Sequence, residues 1–212
     1  MSPRIDRGQL LGDADVSVQP YERFRFTESN ISPRAPLGTP GVVMWYTGDE
    51  HDELGHISEE PNNRTRMVEK RMKKLELADK EIPVEKRVNF FGDSGATHIV
   101  VSWGSPKGAI LEAMERLRHE GYRLSFLQVR MVHPLPCKYV ARILGEAEKR
   151  VAVEGNYSAQ LAGLVREKTG VDMDYYVLKW NGRPISSDEL YESLRRIMQN
   201  RAPRRQVLTC GG

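Results

Sequence analysis

The chain has 212 residues, 39% of them hydrophobic, and a net charge of +3 from 32 basic and 29 acidic side chains. That length carries one full domain, or one domain and part of another, around a core of modest size. The near balance of charge excludes the strongly basic surface of a nucleic-acid binder, and no apolar run approaches the roughly 20 residues a membrane span needs. Two cysteines, Cys137 and Cys210, far apart and without a CxxC pair, argue against a disulfide framework and an iron–sulfur site. No signal-peptide pattern opens the sequence, so a soluble chain in the reducing cytoplasm is expected. High charge with few cysteines is the composition favoured in thermophiles.

Residues 1–61 read as an irregular arm. The run Ser32-Pro33-Arg34-Ala35-Pro36-Leu37-Gly38-Thr39-Pro40-Gly41 excludes a regular helix, because prolines remove donors and restrict their neighbours. Residues 42–46, VVMWY, have the makings of a short strand, and 47–56, TGDEHDELGH, form a polar loop bounded by glycines. So long a stretch without periodicity is uncommon in a compact domain. It either wraps over its own chain or belongs to a surface completed elsewhere. Residues 62–89 are a linker helix and connector. Asn63 is the candidate N-cap, Val68, Met72 and Leu75 make a thin apolar stripe on a charged cylinder, and Pro83 stops the helix.

From about residue 90 to 200 the pattern is regular. Residues 98–103, HIVVSW, read as a buried strand; Gly104 turns the chain, Ser105 can cap, and Pro106 suits a first helical position. Ile110, Ala113, Met114 and Leu117 recur at helical spacing until Gly121. A second strand follows at 123–131, the rigid loop His133-Pro134-Leu135-Pro136, and a helix at 137–149. A third strand at 150–154 turns through Gly155 and Asn156 into a helix ending before Gly170. A fourth strand at 175–180 ends at Asn181-Gly182, and Ser186 with Glu189 offers a capping box for a helix over 188–199. Residues 201–212 read as a frayed, flexible basic tail. The expected fold is α/β, a mostly parallel sheet with helices on both faces.

Chemistry in such sheets gathers beyond the carboxyl ends of the strands. There the turn Gly104-Ser105-Pro106-Lys107-Gly108 could hold a phosphate or carboxylate at a helix N-terminus, but it has neither the Walker nor the GxGxxG spacing. A plain strand-to-helix turn is the favoured reading of it. Glu154 and Asn156 stand at another strand end, with Asn156 a ready helix cap. His51 and His56 among Asp49, Glu50, Asp52 and Glu53 are ligand-like, yet their spacing matches no helical metal motif, and no metal site is assigned. Met67 and Met72 read as packing residues.

Several motifs together resemble a known family. They are Asn30-Ile31-Ser32-Pro33-Arg34 with Pro40-Gly41, residues 47–75 (TGDEHDELGHISEEPNNRTRMVEKRMKKL), residues 101–113 (VSWGSPKGAILEA), His133-Pro134-Leu135-Pro136, and residues 153–161 (VEGNYSAQL). In this order, across roughly residues 5–198, the chain resembles the C-terminal part of the α subunit of 2-oxoacid:ferredoxin oxidoreductases. The resemblance implies a transketolase C-terminal-like domain after the arm, the arm being the end of a pyrimidine-binding-type domain. It implies oxidative decarboxylation of a 2-oxoacid to an acyl-CoA with reduction of ferredoxin. Thiamine diphosphate, Mg²⁺ and iron–sulfur clusters would lie on partner chains, since the YPITPS, PTR and GDG…Asn stretches and the cluster-ligating cysteines are absent here. The expected partners are a β subunit and the rest of the α subunit, with ferredoxin and CoA met indirectly, and neither nucleic acid nor membrane. The expectation is a fragment, inactive alone, with a structural and assembly role. The alternatives are a stand-alone ligand-binding or regulatory module and an inert remnant. Within the resemblance, Asp49, Glu50 and His51 mark a loop at a subunit interface or at the substrate or CoA entrance.

Overall fold

The computed structural model describes residues 5–12, 20–92 and 95–210. It divides into two compact units, Met1–Lys80 and Glu81–Gly212.

In the first unit, helix α1 (Pro61–Glu81) follows an arm whose described residues contain no strand, only isolated bridges between Leu10 and Arg34 and between His51 and Ile57. The short strand expected at 42–46 is not formed. Beneath it, Gly55 has φ +97, and a Cβ there would lie 2.3 Å from the Trp45 carbonyl oxygen, so the chains pass too closely for any other residue. Backbone groups of the arm are met by side chains instead of a ladder. The Tyr21 hydroxyl donates to Pro33 O and accepts from the Ala35 amide. Ser32 donates to Arg25 O, Thr27 to Ile31 O, and Glu53 accepts from the Phe26 amide. Such bonds satisfy a buried backbone in a segment without secondary structure. At the start of α1, Asn63 does not cap. Its side chain donates to His51 O, and Glu60 accepts from the Asn63 amide. Met67 and Lys70 are the buried residues of α1, whereas Met72 is half exposed.

The second unit runs α2 (Val84–Arg87), β1 (Val88–Gly92), β2 (His98–Trp103), α3 (Lys107–His119), β3 (Ser125–Val129), α4 (Cys137–Gly145), β4 (Lys149–Glu154), α5 (Gln160–Thr169), β5 (Tyr175–Leu178), α6 (Ser187–Met198) and β6 (Arg205–Val207). The sheet order is β1-β3-β2-β4-β5-β6, parallel throughout except for β1 against β3. Side chains alternate between faces as the pleat requires. Ile99, Val101, Leu127, Ala152 and Leu178 join Val140, Leu144, Leu161 and Val165 of α4 and α5. Val100, Phe126, Val151, Val153 and Val177 join Ile110, Leu117, Leu190 and Leu194 of α3 and α6 on the other face. This is the expected mostly parallel sheet with helices on both faces.

Three local expectations are corrected. The connector does not run to residue 89, because β1 begins at Val88 as an antiparallel edge strand whose Phe90 and Phe91 feed opposite faces. Ser105 makes no cap: Pro106 holds the position before α3, with no side-chain hydrogen bond there. The tail is not frayed through its described residues. Gln206 pairs with Val177 as β6, and Leu208 donates its amide to Leu178 O and is buried. Gly211 and Gly212 lie outside the described residues. The anchor is Lys179, almost wholly buried, whose ammonium donates to Pro184 O at 2.8 Å, to Glu189 at 2.6 Å and to Cys210 O. Glu189 in turn completes the capping box with Ser186 at the start of α6. Burial pushes the Glu189 carboxyl up, but the Lys179 and Ser186 hydrogen bonds outweigh it and hold the group below the usual carboxylate range.

Candidate functional site

In the second unit the strand order reverses beside β2, whose neighbours β3 and β4 continue the chain in opposite directions across the sheet. The crevice at the carboxyl ends of β2 and β4 is therefore the topological switch point, where open α/β sheets place their ligands. Ser102 ties the two strands there, its hydroxyl donating to Val153 O at 2.6 Å.

The turn from Gly104 to Gly108 leaves β2 at this point. Gly104 has φ +70, and a Cβ on either Gly104 or Gly108 would meet nothing within 4 Å, so no cradle closes around the turn. The Lys107 ammonium lies 5.0 Å from the centre of the Phe91 ring, a cation–π contact. Ser105 is exposed.

Across the crevice Glu154 is a buried carboxylate with a structural task. It accepts from the Leu161 and Ala162 amides at the start of α5, both at 2.9 Å, and from the Asn156 side chain at 2.8 Å. Asn156 accepts from the Gln160 amide. The two residues share the capping expected of Asn156 alone, and together they meet the orphan donors of the helix. At the same rim, exposed aromatics cluster. Tyr157 and Trp180 meet edge to face with ring centres 4.8 Å apart, and the Arg205 guanidinium lies 5.2 Å from Tyr157 and 6.0 Å from Trp180. Sequence reasoning passed over this trio, although Trp180 just after β5 is a visible signal.

In the first unit the loop 47–56 is folded around its own acids. The Asp52 carboxylate accepts from the amides of Leu54, Gly55 and His56 at 2.9–3.0 Å, an Asx-type turn. Glu50 receives a two-pronged pair from Arg71 at 2.6 and 3.1 Å and lies 3.4 Å from Arg64. The Arg71 hydrogen bond is the main reason its carboxyl sits below the usual range, against the opposing effect of burial. The His51 ring lies against Phe24 with centres 3.9 Å apart, and its Nδ1 is 2.9 Å from Asp52 O. His56 meets Trp45 edge to face. Asp49 is exposed and makes no hydrogen bond or ion pair with the described residues. Glu50 and His51 are thus held in place from within the loop, and Asp49 is left facing solvent. Around them Val43, Trp45, Tyr46 and Ile57 are all more than half exposed.

Among the described residues no three His, Cys, Asp or Glu side chains stand together as a metal site. Cys137, half buried, donates its thiol to Leu135 O, and Cys210 is exposed. The donor set does not fit an iron–sulfur cluster, which needs several thiolates in one place. Among the described residues no helix is long and apolar enough to cross a membrane.

Comparison with known proteins agrees with the fold and extends it. Residues 96–203 match the family model of the pyruvate:ferredoxin oxidoreductase core domain II. Subunit alpha of 2-oxoacid:ferredoxin oxidoreductase 1 from Sulfurisphaera tokodaii is 46% identical over 208 residues, 98% of this chain and 32% of that protein. The 2-oxoglutarate oxidoreductase subunit KorA of Mycobacterium tuberculosis is 33% identical over 86% of this chain and 27% of its own length. The chain spans about a third of the length of the curated relatives it matches. Among solved structures, the 2-oxoglutarate:ferredoxin oxidoreductase from Magnetococcus marinus, with 2-oxoglutarate, coenzyme A and succinyl-CoA bound, superimposes with a TM-score of 0.62 at 27% identity. That match covers 82% of this chain and 30% of that one.

Proposed function

Because the chain belongs to the pyruvate:ferredoxin oxidoreductase core domain II family, we propose that it works as part of the α subunit of a 2-oxoacid:ferredoxin oxidoreductase. In this reading it supplies assembly and active-site closure and no chemistry of its own. One observation carries it: identity of 46% runs through 98% of the chain, so arm, helix and sheet are all alike to one kind of subunit. A stand-alone module built on the Gly104–Gly108 turn would call for likeness in the sheet unit alone, and the missing cradle around that turn also speaks against it.

The loop with Asp49, Glu50 and His51 takes the interface or substrate-entrance role. Its support is the combination of internal rigidity with exposed apolar residues on both flanks, since clustered exposed hydrophobic side chains mark contact surfaces. The β subunit and the remaining α-subunit sequence are the partners, and ferredoxin and CoA are met through them. Thiamine diphosphate, which supplies the decarboxylation chemistry when bound, belongs with Mg²⁺ and the iron–sulfur clusters on those partners.

The test is co-expression with the neighbouring α- and β-type chains of the same genome. The chain alone should show no CoA-dependent 2-oxoacid oxidation with ferredoxin or a dye as acceptor. The co-purified complex should show it, and Asp49→Arg should lower recovery of the complex. Failure to recover any β-type partner would sink this reading.

A further inference from the structure

The first unit buries an amine that nothing above uses. Lys70 lies on α1 with only 8% of its surface exposed. It lines a cavity of about 250 Å³ together with Arg7, Arg23, Arg34 and Lys74, and no acidic residue stands in that wall. Among the described residues none of the five cations has a carboxylate within ion-pair distance. Arg34 donates to Arg7 O and Arg23 to the Tyr46 hydroxyl, bonds that fix a guanidinium without neutralising it.

The Lys70 nitrogen donates to Phe24 O and, at 2.7 Å, to the Ser32 hydroxyl. It also lies 5.4 Å from the centre of the Phe26 ring. An ammonium has three donors and meets two hydrogen-bond acceptors here, both neutral. A neutral amine has two donors, satisfies both acceptors and keeps its lone pair. Burying a charge without a counter-charge is costly. Accordingly, burial first, then the neighbouring Lys74, Arg23 and Arg71, lower the Lys70 pKa to about 8, with Glu53 opposing them. Glu53 is itself engaged by the Phe26 amide. Near neutral pH the free amine is then more abundant than in an ordinary lysine by over about a hundredfold.

We propose that Lys70 is a carbamylation site: its amine takes up dissolved carbon dioxide, and Arg7, Arg23, Arg34 and Lys74 support the carbamate that forms. The nitrogen lone pair attacks the carbon, a C–N bond forms, and one C=O pair moves onto oxygen. The nitrogen then loses one proton to water, so amine and carbon dioxide give carbamate and a proton with no oxidant or reductant. The remaining N–H keeps the Phe24 carbonyl, which can only accept, while the Ser32 hydroxyl retains its own bond to Arg25 O. Two features select this reagent. The amine is nearly enclosed, so the electrophile must be small. The wall is cationic throughout, so the product must be an anion, which guanidinium groups receive through paired donors. An aldehyde would instead leave a neutral or cationic imine among four cations. The inference goes beyond the reading above and does not rest on it, because a carbamate on one side chain is a modification and gives no turnover.

The test is to equilibrate the full chain with isotopically labelled bicarbonate and dissolved carbon dioxide, trap carbamates as ethyl esters with triethyloxonium, and locate them by peptide mass spectrometry. The label should sit on Lys70 and be absent from the exposed Lys73, Lys74 and Lys107. At fixed dissolved carbon dioxide the trapped fraction should rise with pH, because losing the ammonium proton and forming the carbamate both release protons. Lys70→Arg should abolish the label. The double variant Arg7→Ala/Lys74→Ala changes two exposed residues, and its fold is checked by circular dichroism. It should lower the trapped fraction about tenfold, because losing two cations both favours the ammonium and weakens support for the anion. Since native chain and double variant are read directly, the proposal stays open to refutation even if Lys70→Arg does not fold. No label on Lys70, label spread evenly over the surface lysines, or a double variant labelled as fully as the native chain overturns it.

Discussion

The two units solve the same problem by opposite means. In the sheet unit, backbone groups pair with one another in the ladder, and side chains are left to fill two apolar faces around Phe126 and Leu127. In the arm unit the backbone has no ladder among its described residues, so side chains must supply the partners: Tyr21, Thr27, Ser32, Glu53 and Lys70 all bond to main-chain groups. The first arrangement draws on burial of apolar area, worth about 25 cal/mol per Å². The second draws on hydrogen bonds worth about 1 kcal/mol each net, and it keeps charge inside. The difference teaches where unneutralised chemistry can reside. A sheet core has no use for an unpaired ammonium, whereas an arm held by donors and acceptors accommodates Lys70 and the guanidinium groups around it.

The sharpest way to break the contrast is to attack the apolar side of it. Phe126 is fully buried and stacks on Phe91 with ring centres 5.6 Å apart. Phe126→Ala should cost about 3–5 kcal/mol, the usual range for an aromatic truncated in a core, seen as a lower urea midpoint by circular dichroism. A loss under about 1 kcal/mol would mean that the sheet faces are not held as described.

The sheet unit has a buried ion pair of its own, and it probes the contrast from within. Lys179 and Glu189 are 2.6 Å apart with both side chains largely buried. Lys179→Met removes the ammonium and strands Glu189 and the Cys210 carbonyl, so a loss of about 3 kcal/mol is expected. The local signature is faster hydrogen exchange at the amide of Leu208, which otherwise donates to Leu178 O. Unchanged exchange there would separate the order of β6 from the lysine.

What the sequence discloses follows the same division. The run from β2 to α6 is readable because its order arises from local pattern: the continuous β-branched run in His98–Trp103, helical spacing in Ile110, Ala113 and Leu117, and the Ser186–Glu189 box. Strand β1 escapes notice because a charged turn precedes so short an alternation. Strand β6 escapes because Arg205-Gln206-Val207 has a single apolar residue, and its state is set by the open edge of β5 and the grip of Lys179. The arm has no period to read. Its contacts join residues as distant as Phe24 and Lys70, 46 positions apart. For the candidate loop, the polarity of residues 47–56 is plain in the sequence, but that Arg71 would claim Glu50 and Phe24 would shelve His51 is a product of folding. The least legible feature is the convergence of Arg7, Arg23, Arg34, Lys70 and Lys74 on the wall of one cavity in the arm unit, since the five share no local pattern.

The smallest expected effect sharpens the arm side of the comparison. Glu50 has its carboxyl below the ordinary value of 4.5, chiefly through the hydrogen bond from Arg71. A carboxyl lowered on folding binds fewer protons in the folded state than in the unfolded one. Its stabilisation is therefore complete above about pH 4.5 and lost as the pH falls through the folded value. Arg71 is 41% exposed, and solvent screens the pair, so the contribution is about 1 kcal/mol. Hydrogen exchange at the amides of Leu54, Gly55 and His56, corrected for intrinsic rates, should therefore quicken below pH 4.5 in the native chain. In Glu50→Gln it should be faster at neutral pH and lose that acid step. If the acid step persists in the variant, the loop is governed by the Asp52 turn alone, and the ion pair with Arg71 is only a surface ornament.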